Sequence, residues 1–226
     1  MLLEPRLTQH VAGIVLMGGA AFVGGNASPA AEANILNDPE AADIVFGAEC
    51  PIVMAGLDVT EREAFEVYAD GVKDHYGIVN QVYNNAGIAY TGSVEISQFK
   101  DLERVMDVDY WGVVNGTKIF LPHLIASGDG HVVNVSSVFG LLAVPGQAAY
   151  NAAKFAVRGF TEALRQEMLV AGHPVKVTCV HPGGIKTAIA HNAVTAEGLD
   201  QEELAHFFDK KLASTTAQKA ARVILD

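Results

Sequence analysis

Four short apolar runs recur along the chain: "PIVMAG" (51–56), "IVNQVY" (78–83), "GHVVNVSS" (130–137) and "PVKVTCVHPGG" (174–184). They are separated by longer stretches with helical patterning. A strand with one wet face alternates apolar and polar residues; near-continuous apolar runs belong to strands covered on both faces. Strands of that kind, alternating with helices, predict an α/β fold with a parallel sheet between helical layers. A further run at 11–17 reads as another buried strand, broken into a loop by Gly18, Gly19, Gly24 and Gly25. With 226 residues, 50% of them hydrophobic, there is material for one domain with a sizeable core, or one domain and part of a second.

In such sheets ligands sit beyond the carboxyl ends of the strands. Asn85, Ser137, Pro182 and Gly183 all fall at those ends, so they are expected on one side of the sheet. Helix starts are legible too. Asp38 can cap a helix with Pro39 in its first turn and Glu40 at its positive end. Thr60 can cap the next, which runs to about His75. Long helices are expected over 102–123 and 148–172, the latter with Phe155, Phe160 and Leu164 as core candidates.

Charge narrows the partners. Fifteen Lys and Arg against 26 Asp and Glu give a net charge of −11, which repels nucleic acid and anionic membrane surfaces. Cys50 and Cys179 make neither a disulfide framework nor a metal cluster, so a cytoplasmic, reducing compartment is the default. The front end imitates a signal peptide, with Arg6, an apolar run and small residues after it. Glu4 and the glycines within the run favour a buried strand instead.

Tyr150 and Lys154 stand four residues apart on one helix and so share a face. A lysine there favours the phenolate of Tyr150 and can hold a polar ligand such as a ribose, making the tyrosine an acid or base. Ser137, at the preceding strand end, could polarise a carbonyl or steady an alkoxide. A Tyr-x-x-x-Lys pair taken alone is equally at home as a plain surface pair.

The pieces "LDVT" (57–60), "NNAG" (84–87), "NVSS" (134–137), "YNAAK" (150–154) and "HPGGIKT" (181–187) stand in an order and spacing that resemble the classical short-chain dehydrogenase/reductase family over residues 57–226. The resemblance implies a Rossmann-like sheet and hydride transfer between NAD or NADP and an alcohol or carbonyl carbon. It implies Ser137, Tyr150 and Lys154 as catalytic residues, joined by Asp109 where the family usually has asparagine. It places Asp58 near the adenine and Asn85, Ala86 and Gly87 along the cofactor cleft. Tyr150 and Lys154 would meet the nicotinamide ribose, and Pro182, Gly183 and Thr187 would border the nicotinamide. It also implies a homo-oligomer built through the helices at 102–123 and 150–168. "GLLAVPG", with Phe139 and Leu141, and the segment after Thr187 suggest an apolar alcohol or ketone, although each could equally be core.

Three departures qualify the picture. Aspartate at 109 cannot donate a hydrogen bond when ionised. The family's Thr-Gly-x-x-x-Gly-x-Gly phosphate loop has no counterpart. The chain also stops near the point where the family adds a last strand. The fold is therefore expected to be incomplete or altered at its first βαβ unit and its last strand. Residues 14–57 instead resemble a piece of the inosine–uridine-preferring nucleoside hydrolase family, through "LMGG", "GNASPAAEANILNDPEAADIVF" and "PIVMAGLDVT". That resemblance implies ribose contacts by Asn26, Glu32 and Asn34, but the family's calcium-binding aspartate cluster is missing, and no metal is expected. The chain accordingly divides into a 1–56 segment in place of the dinucleotide motif and a 57–226 catalytic region. Three readings follow: an NAD(P)-dependent oxidoreductase, a catalytically silent hybrid with an oligomerisation role, and a residual nucleoside binder.

Overall fold

The computed structural model describes residues 14–17, 52–55, 58–187 and 189–225, with only the backbone path for the first two segments and for residue 225. The expected glycine loop at 18–25, the helix start at Asp38, the ribose contacts of Asn26, Glu32 and Asn34, and Cys50 lie outside the described residues.

Two strands, β1 (Ile14–Met17) and β2 (Ile52–Ala55), pair in parallel, Ile14 opposite Ile52 and Met17 opposite Ala55. Helix α1 (Arg62–Tyr76) follows. Its Glu63 at the start and Lys73 and His75 at the end match the helix dipole, and Gly77, at φ 76°, closes it. Thr60 does not cap it, contrary to the expectation. Glu61 occupies the cap position without a side-chain bond, and the Thr60 backbone N–H and hydroxyl both donate to Asp58 Oδ1, at 3.0 and 2.8 Å.

Strand β3 (Gln81–Asn84) starts later than the apolar run suggested and leads to the short β4 (Tyr90–Thr91). The expected single helix at 102–123 is three pieces: α2 (Phe99–Met106), a π-helical turn (Asp107–Trp111) and α3 (Gly112–Ser127). Then come β5 (Gly130–Val135), a 3₁₀ turn (Val138–Gly140), α4 (Ala148–Ala171) and β6 (Val175–Val180). The remainder holds β7 (Ile185–Lys186), β8 (Val194–Thr195), α5 (Gln201–Lys211), β9 (Thr215–Thr216) and α6 (Ala217–Leu225).

Strands β3, β5 and β6 form one parallel sheet in the order β3-β5-β6. Asn84 pairs with Asn134, which pairs with Cys179, so the three carboxyl ends finish together. This is the Rossmann-like α/β arrangement, and it puts Asn85, Ser137 and Pro182 on one side as expected. Two further parallel pairs, β4 with β8 and β7 with β9, tie the segments beyond those ends to the C-terminal region.

The main core joins Phe65, Ala69 and Val72 of α1, Phe120 and Leu124 of α3, Leu164 and Met168 of α4, and Val82, Val132 and Val175 of the sheet. Phe65 and Phe120 meet edge to face at 6.0 Å, each of them fully buried and contributing roughly 1.5–3 kcal/mol. Of the expected core residues on α4, Leu164 is buried, Phe160 is half-buried against the Tyr110 ring, and Phe155 faces outward at 42% exposure. Phe155 misses the core because the buried stripe of α4 runs through Ala149, Ala153, Val157, Leu164 and Met168.

Candidate active site

Three neighbouring elements converge at the carboxyl end of β5. The strand delivers Val135, Ser136 and Ser137; the first turns of α4 deliver Tyr150 and Lys154; the π-turn delivers Asp109. A π-turn inserts an extra residue into a helix and re-aims its side chains, and such turns often mark functional sites. Here Asp109 points inward with no exposed surface, while Trp111, two residues on, is 42% exposed.

Lys154 is buried, its Nζ 3.2 Å from Asp109 Oδ2 and 3.3 Å from the Val135 carbonyl oxygen, to which it donates. Asp109 Oδ1 accepts from the Ile88 backbone N–H at 2.8 Å. The same Nζ stands 5.4 Å from the centre of the Tyr150 ring, within cation–π range. Tyr150 lies edge-on to Phe139 at 6.1 Å, and the Ser137 side chain, whose Oγ accepts from the Phe139 N–H at 3.1 Å, favours its phenolate. Its complete burial sets Asp109 apart from an ordinary solvated helix aspartate.

The charges act on one another. Burial pushes the Asp109 carboxyl up from its ordinary value, while the Lys154 cation and the Ile88 N–H pull it back. Burial disfavours the Lys154 ammonium, but Asp109 and Tyr150 more than offset this and hold its pKa above the lysine norm. Burial also raises Tyr150; Lys154 opposes that rise and Asp109 reinforces it.

The other residues singled out in the sequence fall as follows. Gly87 sits against the ion pair: a Cβ there would stand 3.4 Å from Lys154 Nζ and 3.5 Å from Asp109 Oδ2. Asn85 is exposed and Ala86 half-buried on the same turn. Pro182 reaches the site through its carbonyl, which accepts from the Val138 N–H at 2.9 Å; Gly183, next to it, is exposed. Thr187 is half-buried, with its hydroxyl accepting from Ile189 N–H. Asp58 stands apart from this cluster, engaged with Thr60 and 3.7 Å from the Arg104 guanidinium.

Two supporting residues escaped the sequence reading. Asn151 donates to the Phe139 and Leu142 carbonyls at 2.8 and 2.9 Å and accepts from Val144 N–H at 3.0 Å, pinning the loop that carries Phe139. Ser136 Oγ donates to the Lys154 carbonyl at 2.8 Å, locking strand to helix beside the site. The available signal was a buried-type position filled by a polar side chain beside Tyr150 and Ser137.

The described residues fit a nicotinamide cofactor. The Gly87 backbone comes close beside Lys154. Lys154 donates one N–H to the Val135 carbonyl and sets its charge against Asp109, keeping donor capacity for a ligand hydroxyl. Asp109 Oδ2 accepts no well-aligned hydrogen bond.

The family profile described as short chain dehydrogenase matches residues 24–198. A Mycobacterium tuberculosis protein named "Putative oxidoreductase SadH" is 71% identical over 170 residues, covering 75% of this chain and 62% of that relative. The chain thus spans less than two thirds of the relative's length. Carveol dehydrogenase from Mycobacterium avium, solved in complex with NAD, superposes with a TM-score of 0.69 at 28% identity, over 83% of this chain and 67% of that one. A short chain dehydrogenase/reductase from Burkholderia phymatum, also solved with NAD, gives 0.63 at 31% identity, over 66% and 54%. With Ser137, Tyr150 and Lys154 gathered at the end of a parallel sheet and a profile match over most of its length, the chain belongs to the short chain dehydrogenase family.

Proposed function

We propose that the chain is an NAD(P)-dependent oxidoreductase acting on an apolar alcohol or ketone, with Ser137, Tyr150, Lys154 and Asp109 as its chemical centre. The observation that carries this reading is the buried Lys154, placed between Asp109 and the Tyr150 ring at the carboxyl end of β5. Two similar structures, both solved in complex with NAD, support a nicotinamide cofactor. When bound, that group would accept or supply the hydride.

The chain's own groups divide the remaining work. Tyr150 Oη gives a proton to the substrate oxygen during reduction and takes one during oxidation. Ser137 Oγ donates to the same oxygen as its charge develops. Lys154 and the Tyr150 hydroxyl would hold the nicotinamide ribose, with Asn85, Ala86 and Gly87 beside it and Pro182, Gly183 and Thr187 along the nicotinamide. Asp58 would approach the adenine. Leu141 and Leu142, 48% and 52% exposed beyond the 3₁₀ turn, offer the apolar surface on which a hydrocarbon substrate would lie. The outward Phe155, Leu169 and Val170 of α4 support assembly into a homo-oligomer.

The test is titration of the purified protein with NADH and NADPH, followed by fluorescence, then turnover with a panel of apolar ketones. Binding of one cofactor and turnover lost in Tyr150→Phe are expected. A folded protein that binds neither cofactor at millimolar concentration would refute the reading.

A further inference from the structure

Lys154 faces two groups that want its charge. The Tyr150 ring centre lies 5.4 Å from Nζ, whereas Asp109 Oδ2 lies 3.2 Å from it. Both members of the ion pair are buried, so water does little to screen either. A cation with an anion against it acts at a distance as a dipole, whose influence falls off faster than that of a lone charge. Burial disfavours the Asp109 carboxylate, while that cation at 3.2 Å and the Ile88 N–H at 2.8 Å favour it.

We propose that Asp109 cancels the Lys154 charge that Tyr150 faces and so keeps Tyr150 a neutral phenol through neutral pH, setting the site to give a proton to a carbonyl rather than to take one from an alcohol. The directional part rests on the oxidoreductase reading above. The groups facing Tyr150 are few. Lys154 comes from its own helix, Asp109 from the π-turn and Ser137 from beyond β5. Cys179 of β6 acts on Lys154, and His181 Nδ1 lies 3.1 Å from the Ser137 carbonyl. The start of α4 favours the phenolate, as does Lys154; burial and Asp109 work against it.

The proton step balances. In reduction the Tyr150 O–H bond breaks, an O–H bond forms on the former carbonyl oxygen, and the phenolate keeps the electron pair. A reduced nicotinamide cofactor, when bound, would supply the hydride and be left oxidised, and the phenolate recovers its proton from water. An asparagine at 109 would leave the Lys154 charge uncancelled, so the phenolate would form at lower pH.

Spectrophotometric titration of the phenolate tests this without cofactor. Tyr150 is one of six tyrosines, so its signal is taken as the difference between wild type and Tyr150→Phe. The same difference is then measured in an Asp109→Asn background. The wild-type Tyr150 signal should emerge at or above the ordinary tyrosine value of 10.0, and Asp109→Asn should move it to lower pH, a several-fold rise in ionisation constant. A wild-type Tyr150 ionising below that value, or an unmoved or higher midpoint in Asp109→Asn, would overturn the proposal. If Asp109→Asn fails to fold, the wild-type midpoint decides alone. With cofactor, wild-type ketone reduction should hold level across neutral pH while alcohol oxidation climbs with pH, and the climb should start lower in Asp109→Asn. Failure to bind cofactor would defeat the oxidoreductase reading and leave the titration to judge Asp109.

Discussion

Asn84 and Asn134 face each other across β3 and β5, the Asn84 amide donating to Asn134 Oδ1 at 2.8 Å. The Asn84 amide also donates to Thr117 Oγ1 of α3 at 2.9 Å, and the Asn134 amide to Thr161 Oγ1 of α4 at 3.0 Å. All four side chains are buried. One polar chain therefore links two strands to the helices α3 and α4 just beneath the site.

Replacing Asn134 with leucine keeps the branched shape but takes one partner each from the Asn84 amide and the Thr117 and Thr161 hydroxyls, leaving the Asn84–Thr117 and Thr161–Val157 bonds in place and a slightly larger apolar side chain among them. Unpaired buried groups cost about 1–3 kcal/mol each, and some will find new partners, so a loss of ~2–4 kcal/mol is expected. Urea unfolding measures it, and a loss below ~1 kcal/mol would show that the network contributes little.

Gly116 lies within α3, where alanine is ordinarily worth about 1 kcal/mol more than glycine. Here a methyl would run into Asn84 Oδ1, which is held by the network and cannot swing away. Overpacking wins over propensity, and Gly116→Ala should destabilise by roughly 1–3 kcal/mol. A raised melting temperature would contradict this.

On the proposed mechanism Ser137→Ala removes a donor to the substrate oxygen while sparing the Lys154–Asp109 pair. Turnover should fall by roughly 10²–10³-fold, as for loss of one oxyanion donor. Cofactor affinity, read by fluorescence titration, should stay within about twofold, since the role proposed for the serine is toward substrate rather than cofactor. An equal loss in both measurements would mean that Ser137 supports the site's structure instead.

Alkaline pH should be unusually damaging. Tyr68, Tyr83 and Tyr150 all have pKa values raised by burial above 10.0, and Lys154 lies above 10.5 because Asp109 and Tyr150 outweigh its burial. Each binds its proton more tightly folded than unfolded, so its stabilisation is complete below the ordinary value and is lost as pH rises through the folded one. Thermal melts should be level up to pH 10.0 and fall steeply beyond it, less so in Tyr68→Phe. A flat profile into strong alkali would disprove the linkage.

The chain's pattern of apolar runs was enough to determine the parallel sheet, because strands buried on both faces must be apolar throughout, as Val132, Val133 and Val175 are. It also put Ser137 at a strand end and Tyr150 and Lys154 on one helix face, while the joining of all three into one site was implied by the family resemblance of the motifs. Only the tertiary structure decided what Asp109 does: the π-turn that drives it inward depends on packing against α4 and leaves no periodic mark. The same holds for the asparagines of "NNAG" and "NVSS". Asn84 and Asn134 read as site vocabulary, yet they are core, because a buried amide is tolerated only where folding brings distant partners such as Thr117 and Thr161 within reach.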